Sequence, residues 1–339
     1  MTRRIAEIMQ VLGRALLLAV AFAVPVPSLA APPASGDAVR VLYWNIFLGG
    51  SGAGEGNLPQ LLDQVVELSP DIFFVVETYG AAPAIVERLN SALGKGRYEA
   101  VQISPGSGIY KDNLWIFTRY PVVETYPKPE HPDITAFNLG GIRVRMPAGR
   151  EVNLYDVWLS YDEPWGGDMM EENVRARDAG KAAVHSRWKI VHSEKSGLAD
   201  VRGVLSTLRR QVSGRAPTIV AGDFNTLPAR DWTSRWARCA GHGGQYYTLR
   251  TTAQMTNAGF VDAYRVAHPD VCRFPGSTWS PHYDRKVPQR IDFVWLRGKG
   301  LAVRGAQVID QRLARHGPGR FYSDHAALVV DLQVEPGAR

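Results

Sequence analysis

Apolar positions along this chain cluster in short runs that alternate with amphipathic stretches, and several of the runs end on a polar side chain. Val39-Arg40-Val41-Leu42-Tyr43-Trp44-Asn45-Ile46 is strand-like and opens into a Gly-rich loop over residues 49–56. Leu58–Leu68 has helical periodicity. Asp71-Ile72-Phe73-Phe74-Val75-Val76-Glu77 is a buried strand ending on a carboxylate, and Ala84–Leu93 is a second helix. Leu114-Trp115-Ile116-Phe117 is a strand closed by Thr118-Arg119-Tyr120-Pro121. Ile142–Met146 and Val152–Leu159 pair around a Pro-Ala-Gly-Arg turn. Asn173–Gln211 is polar and largely helical, with an interruption expected near Ser196-Gly197. Thr218-Ile219-Val220-Ala221 is a buried strand that delivers Gly222-Asp223-Phe224-Asn225, and a Trp- and Arg-rich segment follows over Asp231–Arg238. Two late strands are expected at Ile291–Leu296 and Ala326–Leu332. Helices and strands alternate early and strands gather around hairpins later, so the pattern predicts a mixed α/β protein with helices covering sheets. There is no internal repeat of solenoid period and no linker within residues 38–335.

The first thirty residues have a different pattern. Arg3, Arg4 and Arg14 precede or flank the apolar stretch Ala15–Val24, and Ser28-Leu29-Ala30 is a small-x-small site. This is the form of a secretory signal peptide over 1–30, and the stretch is short for a membrane span. Residues 31–37 then read as a flexible mature N-terminus, and 38–335 as one large domain. The expected location is secreted or periplasmic. Removing Arg3, Arg4, Arg14 and Glu7 lowers the formal charge from +6 to +4, which admits an anionic substrate without marking a nucleic-acid patch. Export favours a disulfide between the two cysteines, Cys239 and Cys272. Cys239-x-x-His242 with His268-x-x-x-Cys272 also has zinc-like spacing, and both readings bring the sulfurs together.

Five polar clusters sit at strand ends: Asn45, Glu77, Asp223 with Asn225, Asp292, and Asp324 with His325. Each alone is an ordinary turn residue or solvated strand end. Together they need one geometry. Trp44-Asn45, Pro70-Asp71-Ile72 through Glu77, Phe117-Thr118-Arg119-Tyr120-Pro121, Gly222-Asp223-Phe224-Asn225, Arg290-Ile291-Asp292-Phe293 and Ser323-Asp324-His325 follow in an order that resembles the endonuclease/exonuclease/phosphatase family, the deoxyribonuclease-I-like fold. The resemblance spans nearly all of residues 38–335. It implies a four-layer α-β-β-α sandwich with two packed mixed sheets, and hydrolysis of a phosphate ester by metal-assisted in-line attack of water.

The chemistry agrees with that implication. Glu77 is a hard oxygen donor suited to Mg²⁺ or Mn²⁺, Asn45 could complete the site without adding charge, and by resemblance Asp324 belongs near the metal. Asp223 would position or deprotonate water, and Asn225 would hold that water or a phosphoryl oxygen. His325 would donate to the phosphoryl oxygen, oriented by Asp292, whose carboxylate favours the charged imidazolium. One departure stands out: the family's His in a Thr-His-Leu-like motif is absent from Asp156-Val157-Trp158-Leu159-Ser160-Tyr161-Asp162. Trp158 or Ser160 occupies the position, and Tyr161 or Asp162 could take over its role. Trp158, Tyr161 and Arg119 are candidate substrate contacts. Trp158, Tyr161, Trp165, Asp162, Glu163 and Asp168 form an aromatic and acidic rim, which could stack on a base but would repel a polyanion. A nucleic acid and a membrane-lipid head group are both candidate partners, a smaller phosphoester is favoured, and no obligate protein partner is evident. The competing classes are a nuclease, a catalytically inactive binding protein on the same scaffold, and a zinc-stabilised interaction module.

Overall fold

A computed structural model describes residues 38–94, 96–146, 149–212 and 216–335. The expected signal peptide and flexible N-terminus lie outside these residues. Among the described residues, no helix is long and apolar enough to cross a membrane.

Two six-stranded sheets pack face to face. The first contains β1 (Ala38–Asn45), β2 (Ile72–Val76), β3 (Glu99–Gln102), β4 (Trp115–Thr118), β11 (Leu301–Ile309) and β12 (Ala327–Val334), in the order β11-β12-β1-β2-β4-β3. The second contains β5 (Val122–Thr125), β6 (Leu139–Arg145), β7 (Glu151–Trp158), β8 (Thr218–Asp223), β9 (Val261–Asp262) and β10 (Asp292–Arg297), in the order β5-β6-β7-β8-β10-β9. At the heart of each sheet is a parallel pair, β1 with β2 and β7 with β8, flanked by antiparallel neighbours. Both sheets are therefore mixed.

Residues of period two divide the strands between two environments. Val39, Val41 and Tyr43 of β1 face the same core as Ile219 and Ala221 of β8 and Val294 and Leu296 of β10, which is the layer between the sheets. The alternate positions face helices. Leu42 and Trp44 pack with Leu61, Val65, Ile85 and Leu89 of α1 (Asn57–Leu68) and α2 (Ala82–Ala92). On the far side, Val220 and Phe293 pack with Val201, Val204 and Leu208 of α5 (Lys195–Gln211) and with Met255 of α6 (Thr251–Asn257). The layers thus run helix, sheet, sheet, helix, as the resemblance implies. Both faces of the central strands are covered, which is why those strands read as continuous apolar runs rather than as alternating ones.

The polar segment before β8 differs from expectation in where it breaks. It forms α3 (Gly166–Asp178), α4 (Arg187–His192) and α5, so the breaks fall at residues 179–186 and 193–194. Ser196-Gly197 instead lies inside the first turn of α5. Ser196 donates from its backbone N–H and its hydroxyl to Asp162, at 2.7 and 2.6 Å. A Cβ on Gly197 would stand 3.3 Å from the Ser160 carbonyl, so the glycine permits a close approach rather than ending the helix. Cys239 and Cys272 are joined as a disulfide, with their Cα atoms 4.8 Å apart. The zinc-like set is not assembled: His242 stacks on Trp232 and His268 bonds the Ala306 carbonyl.

Candidate active site

Strand direction brings the polar clusters together. Asn45 ends β1, Glu77 follows β2 and Asp223 ends β8, while Asp292 opens β10 and His325 stands just ahead of β12. Because β10 and β12 run antiparallel to their neighbours, their beginnings lie beside those ends, and Asp292 is in register with Asp223. Period two does the rest. Asn45 shares the inward parity of Val41 and Tyr43, Asp223 that of Ile219 and Ala221, and Asp292 that of Val294. The side chains therefore project into the inter-sheet layer where it opens.

His325 is the centre of a buried acid cluster. Its Nδ1 is 2.9 Å from Asp292 Oδ2 and its Nε2 is 3.8 Å from Asp223 Oδ2. One ligating atom from each of Asp223, Asp292 and His325 lies within 4.8 Å of the others, and all three residues are buried. Burial alone would depress the imidazole, but Asp292 and Asp223 outweigh it and push His325 up to about 10. Burial pushes the Asp223 carboxyl up to about 8, with the imidazolium opposing the rise and Asp292 adding to it.

Several contacts hold this cluster in place. The Trp44 indole donates to the His325 carbonyl at 2.8 Å, and the Ser323 hydroxyl donates to the Asn45 carbonyl at 2.7 Å. Thr278 Oγ1 accepts from the backbone N–H groups of Ile291 and Asp292, at 3.0 and 3.2 Å. The Asn45 side chain donates to Glu77 Oε1 at 3.0 Å and to Asp223 Oδ2 at 3.4 Å, and its Oδ1 accepts from Phe47 N. It bridges the two carboxylates and so spaces them. Asn225 donates from its backbone to Asp223 Oδ1 and from its amide to the Leu159 carbonyl, each at 2.8 Å.

Glu77 and Asp324 line a cleft of about 640 Å³, together with Asp223, Asn225 and His325. Glu77 Oε2 accepts from Leu48 N at 3.0 Å, and its backbone N–H is anchored by Asn113 Oδ1 at 2.8 Å. The Asp324 Oδ1 atom is buried without a partner, as is Asp292 Oδ1. An orphaned carboxylate oxygen in a cleft that a second carboxylate also lines suits a hard divalent cation. Within the buried triad the imidazolium already supplies the positive charge, so the oxygen-only pair Glu77 and Asp324 fits a cation better than the Asp223-Asp292-His325 group.

Trp158, Tyr161 and Trp165 of the expected rim line the cleft, together with Tyr79, Tyr110, Phe137 and Trp279. Phe137 meets Trp158 edge-to-face at 5.8 Å, and Trp165 meets Trp279 at 5.1 Å. Three expectations are corrected here. Arg119 is remote: it follows β4, whose Thr118 pairs with Ile72 at the opposite end of β2, and its guanidinium binds Asp71 at 2.6 Å. Asp162 is spent on the α5 N-terminus, so of the segment lacking His only Tyr161 offers an exposed hydroxyl. The rim is also less acidic than its sequence, because Asp168 is paired with Arg285. Asn113 went unnoticed in the sequence. It precedes β4 rather than ending an apolar run, and only the pairing of β2 with β4 places it behind Glu77. The inward-facing Asp156 was passed over too. Burial within the sheet layer, two residues before Trp158, pushes its carboxyl well above the usual range.

The endonuclease/exonuclease/phosphatase family matches residues 42–325, from within β1 to His325 itself. The chain belongs to that family. A curated relative, the uncharacterized protein F14F9.5 of Caenorhabditis elegans, is 22% identical over 316 residues, covering 87% of this chain and 91% of its own length. Among solved structures, the human Nocturnin catalytic domain with a bound sulfate anion superposes with a TM-score of 0.58 at 18% identity, covering 88% of this chain and 94% of that one. The endonuclease/exonuclease/phosphatase of Beutenbergia cavernae gives 0.54 at 17%, covering 88% and 72%. D. rerio TDP2 complexed with single-strand DNA product gives 0.52 at 16%, covering 88% and 99%. These likenesses establish the shared sandwich, and family membership makes metal-dependent phosphoester hydrolysis the plausible chemistry of the site.

Proposed function

We propose that this chain is an exported phosphoesterase that uses Mg²⁺ or Mn²⁺ to hydrolyse a phosphate ester. The observation that carries the reading is the buried Asp223-Asp292-His325 cluster opening onto the carboxylates Glu77 and Asp324. The export half of the proposal rests on the pattern of residues 1–30 alone.

Glu77 and Asp324 would hold the cation, which when bound neutralises phosphoryl charge. His325, charged and buried, donates from Nε2 to a non-bridging phosphoryl oxygen while Asp292 accepts at Nδ1 and keeps the ring oriented. Asp223, in its ionised form, takes the proton of the attacking water as the new O–P bond forms and the bond to the leaving oxygen breaks. Asn45 separates Asp223 from Glu77, and Asn225 fixes the Asp223 carboxylate. With no His on β7, the Tyr161 hydroxyl or solvent supplies the leaving group's proton.

The charge of the cleft favours a small phosphoester over a duplex. A nucleic-acid substrate gains support from the TDP2 structure solved with single-strand DNA product, since the aromatic lining offers stacking faces. Hydrolysis of bis(4-nitrophenyl) phosphate by purified protein, with Mg²⁺ or Mn²⁺ against a chelator, tests the reaction. Asp223→Asn and His325→Gln are expected to lower kcat by about 10²–10⁴-fold with the fold retained. Absence of turnover with every divalent metal would leave the inactive binding protein as the better account.

A further inference from the structure

The catalytic cleft and the groove beside it differ in charge. The cleft lining carries five carboxylates and His325 but neither lysine nor arginine. Tyr110 and Phe137 form a shared wall, and beyond them lies a groove of about 540 Å³. Its lining includes Lys111, Lys128 and His131 and has no carboxylate. Lys111 belongs to the loop joining the edge strand β3 to β4. Lys128 belongs to the segment leaving β5, the edge strand of the other sheet. The groove thus lies where loops from the two sheets meet.

Neither ammonium has a hydrogen bond or ion pair among the described residues. Beside the catalytic cleft, by contrast, Arg285 is paired with Asp168 and Lys286 with Asp178. His131 stands 3.8 Å from Asp133, so the net positive charge of the groove comes from the two lysines. One unpaired surface lysine is ordinary. Two on one concave, acid-free groove that shares a wall with a cleft built for phosphate are arranged to receive a second negative charge. The wall suits what must cross it, because Tyr110 packs edge-to-face on Tyr79 at 5.5 Å and is 71% exposed. A flat or apolar stretch of substrate can lie on such a ring.

We propose that this groove is an anion subsite of the enzyme. The substrate is then a phosphoester that carries a second anionic group, a phosphate or a carboxylate, which crosses Tyr110 and Phe137 and binds Lys111 and Lys128. This rests on the phosphoesterase reading and deepens it. The lysines set specificity and take no part in the reaction at the first phosphate. A nucleotide chain and a small bisphosphate share this chemistry.

Steady-state hydrolysis of thymidine 5′-(4-nitrophenyl phosphate), compared with the same ester bearing a 3′-phosphate, reads the subsite. The 3′-phosphate is expected to raise kcat/KM in the native chain. In Lys111→Ala/Lys128→Ala the gain is lost, a fall of about tenfold or more. Bis(4-nitrophenyl) phosphate, with no second anion, is turned over at an unchanged rate. Equal kcat/KM for the two thymidine esters, or a gain that survives both substitutions, overturns the proposal. Oligothymidylate and propane-1,3-diol bisphosphate as competitors separate the sources, and the stronger lysine-dependent inhibitor identifies the one that fits. Their binding, followed by tryptophan fluorescence, needs no turnover. Lysine-dependent binding by a chain that hydrolyses nothing sinks the phosphoesterase reading and keeps the subsite. Turnover with no lysine-dependent binding sinks the subsite alone.

Discussion

Glu77 and Asn225 hold left-handed backbone angles, with φ of 56° and 46°. Such angles cost a residue with a side chain on the order of 1–3 kcal/mol, and they persist only where neighbours over-determine them. At Glu77 the neighbours are Asn113, which receives its N–H, and Asn45 and Leu48 N, which bind its carboxylate. Asn113→Ala therefore releases the backbone turn that aims Glu77. The expected result is about a 10–100-fold weaker apparent metal affinity in activity titrations, with little change in global stability. An unchanged titration midpoint would show that Asn45 and Leu48 suffice. The pair Asp223 and His325 adds a pH dependence. Both groups hold protons in the folded state at pH values where the unfolded chain has released them. The window is about 4 to 8 for Asp223 and about 6.5 to 10 for His325. The contribution of these two groups to the stability of the metal-free protein is thus greatest below those windows and falls as pH rises through them, by at most about 1.4 kcal/mol per pH unit per extra proton. Urea midpoints measured from pH 7 to 10 on the native chain and on Asp223→Asn/His325→Gln test this, since the double variant has neither group and must lose the slope. At this scale the candidate set was legible, because each member ends or begins an apolar run. Asn113, Tyr110 and Phe137 were not, because they sit on loops whose place depends on which strands pair.

The strands do at their own scale what no single residue can. Asp223 reaches the inter-sheet layer because β8 keeps its period-two register against β7 and β10 to its last residue. Gly222 is where that register is most exposed to error. A Cβ there would stand 2.2 Å from the Val157 carbonyl, a backbone atom that cannot swing aside. Gly222→Ala must therefore push β7 from β8 next to Trp158 and Asp223. A loss of about 1–3 kcal/mol is expected from denaturant unfolding, accompanied by loss of activity beyond what the stability change explains. The central strands could be read from sequence because both of their faces are apolar. The edge elements could not. β11 is a long edge strand whose residues are mostly half-buried, and β3, β5 and β9 are two to four residues long, so neither a strong apolar run nor clean alternation marks them. Ser196-Gly197 misled for the opposite reason: a breaker signal in sequence is a packing solution against Ser160 and Thr251.

For the molecule as a whole, the long segment between β8 and β10 has to be tied down if Asp223 and Asp292 are to stay in register. The disulfide does part of this by closing a 33-residue separation within that segment. Removing it with Cys239→Ala/Cys272→Ala should cost about 3–4 kcal/mol, visible as a lowered melting temperature. The other tie is electrostatic. Asp231, eight residues beyond Asp223, is buried and accepts both from Arg265, the other side of the segment, at 2.7 Å and from Arg290, two residues before Asp292, at 3.0 Å. Arg290 also reaches Asp262 of β9 at 2.8 Å. Burial alone would raise the Asp231 carboxyl, but the two guanidiniums hold it below the usual carboxylate range. A depressed carboxyl contributes stability above the unfolded pKa that is lost as pH falls through the folded one, so this network weakens only in acid. Asp231→Ala removes the shared acceptor and strands Arg290, which is 2% exposed, against Asp262 alone. Leaving a buried charge undercompensated is expected to cost about 3–5 kcal/mol. The destabilisation should appear in urea unfolding with an unchanged m-value. It should also carry into kcat, because Arg290 anchors the strand that presents Asp292 to His325. Arg290→Met/Asp231→Leu, which removes charge from both sides, discriminates the two effects. Stability should recover in part, since a well-packed apolar pair avoids the desolvation penalty. Recovery of stability without recovery of kcat would mean that the ion pair sets the position of Asp292. Recovery of both would mean that the network only holds the segment in place.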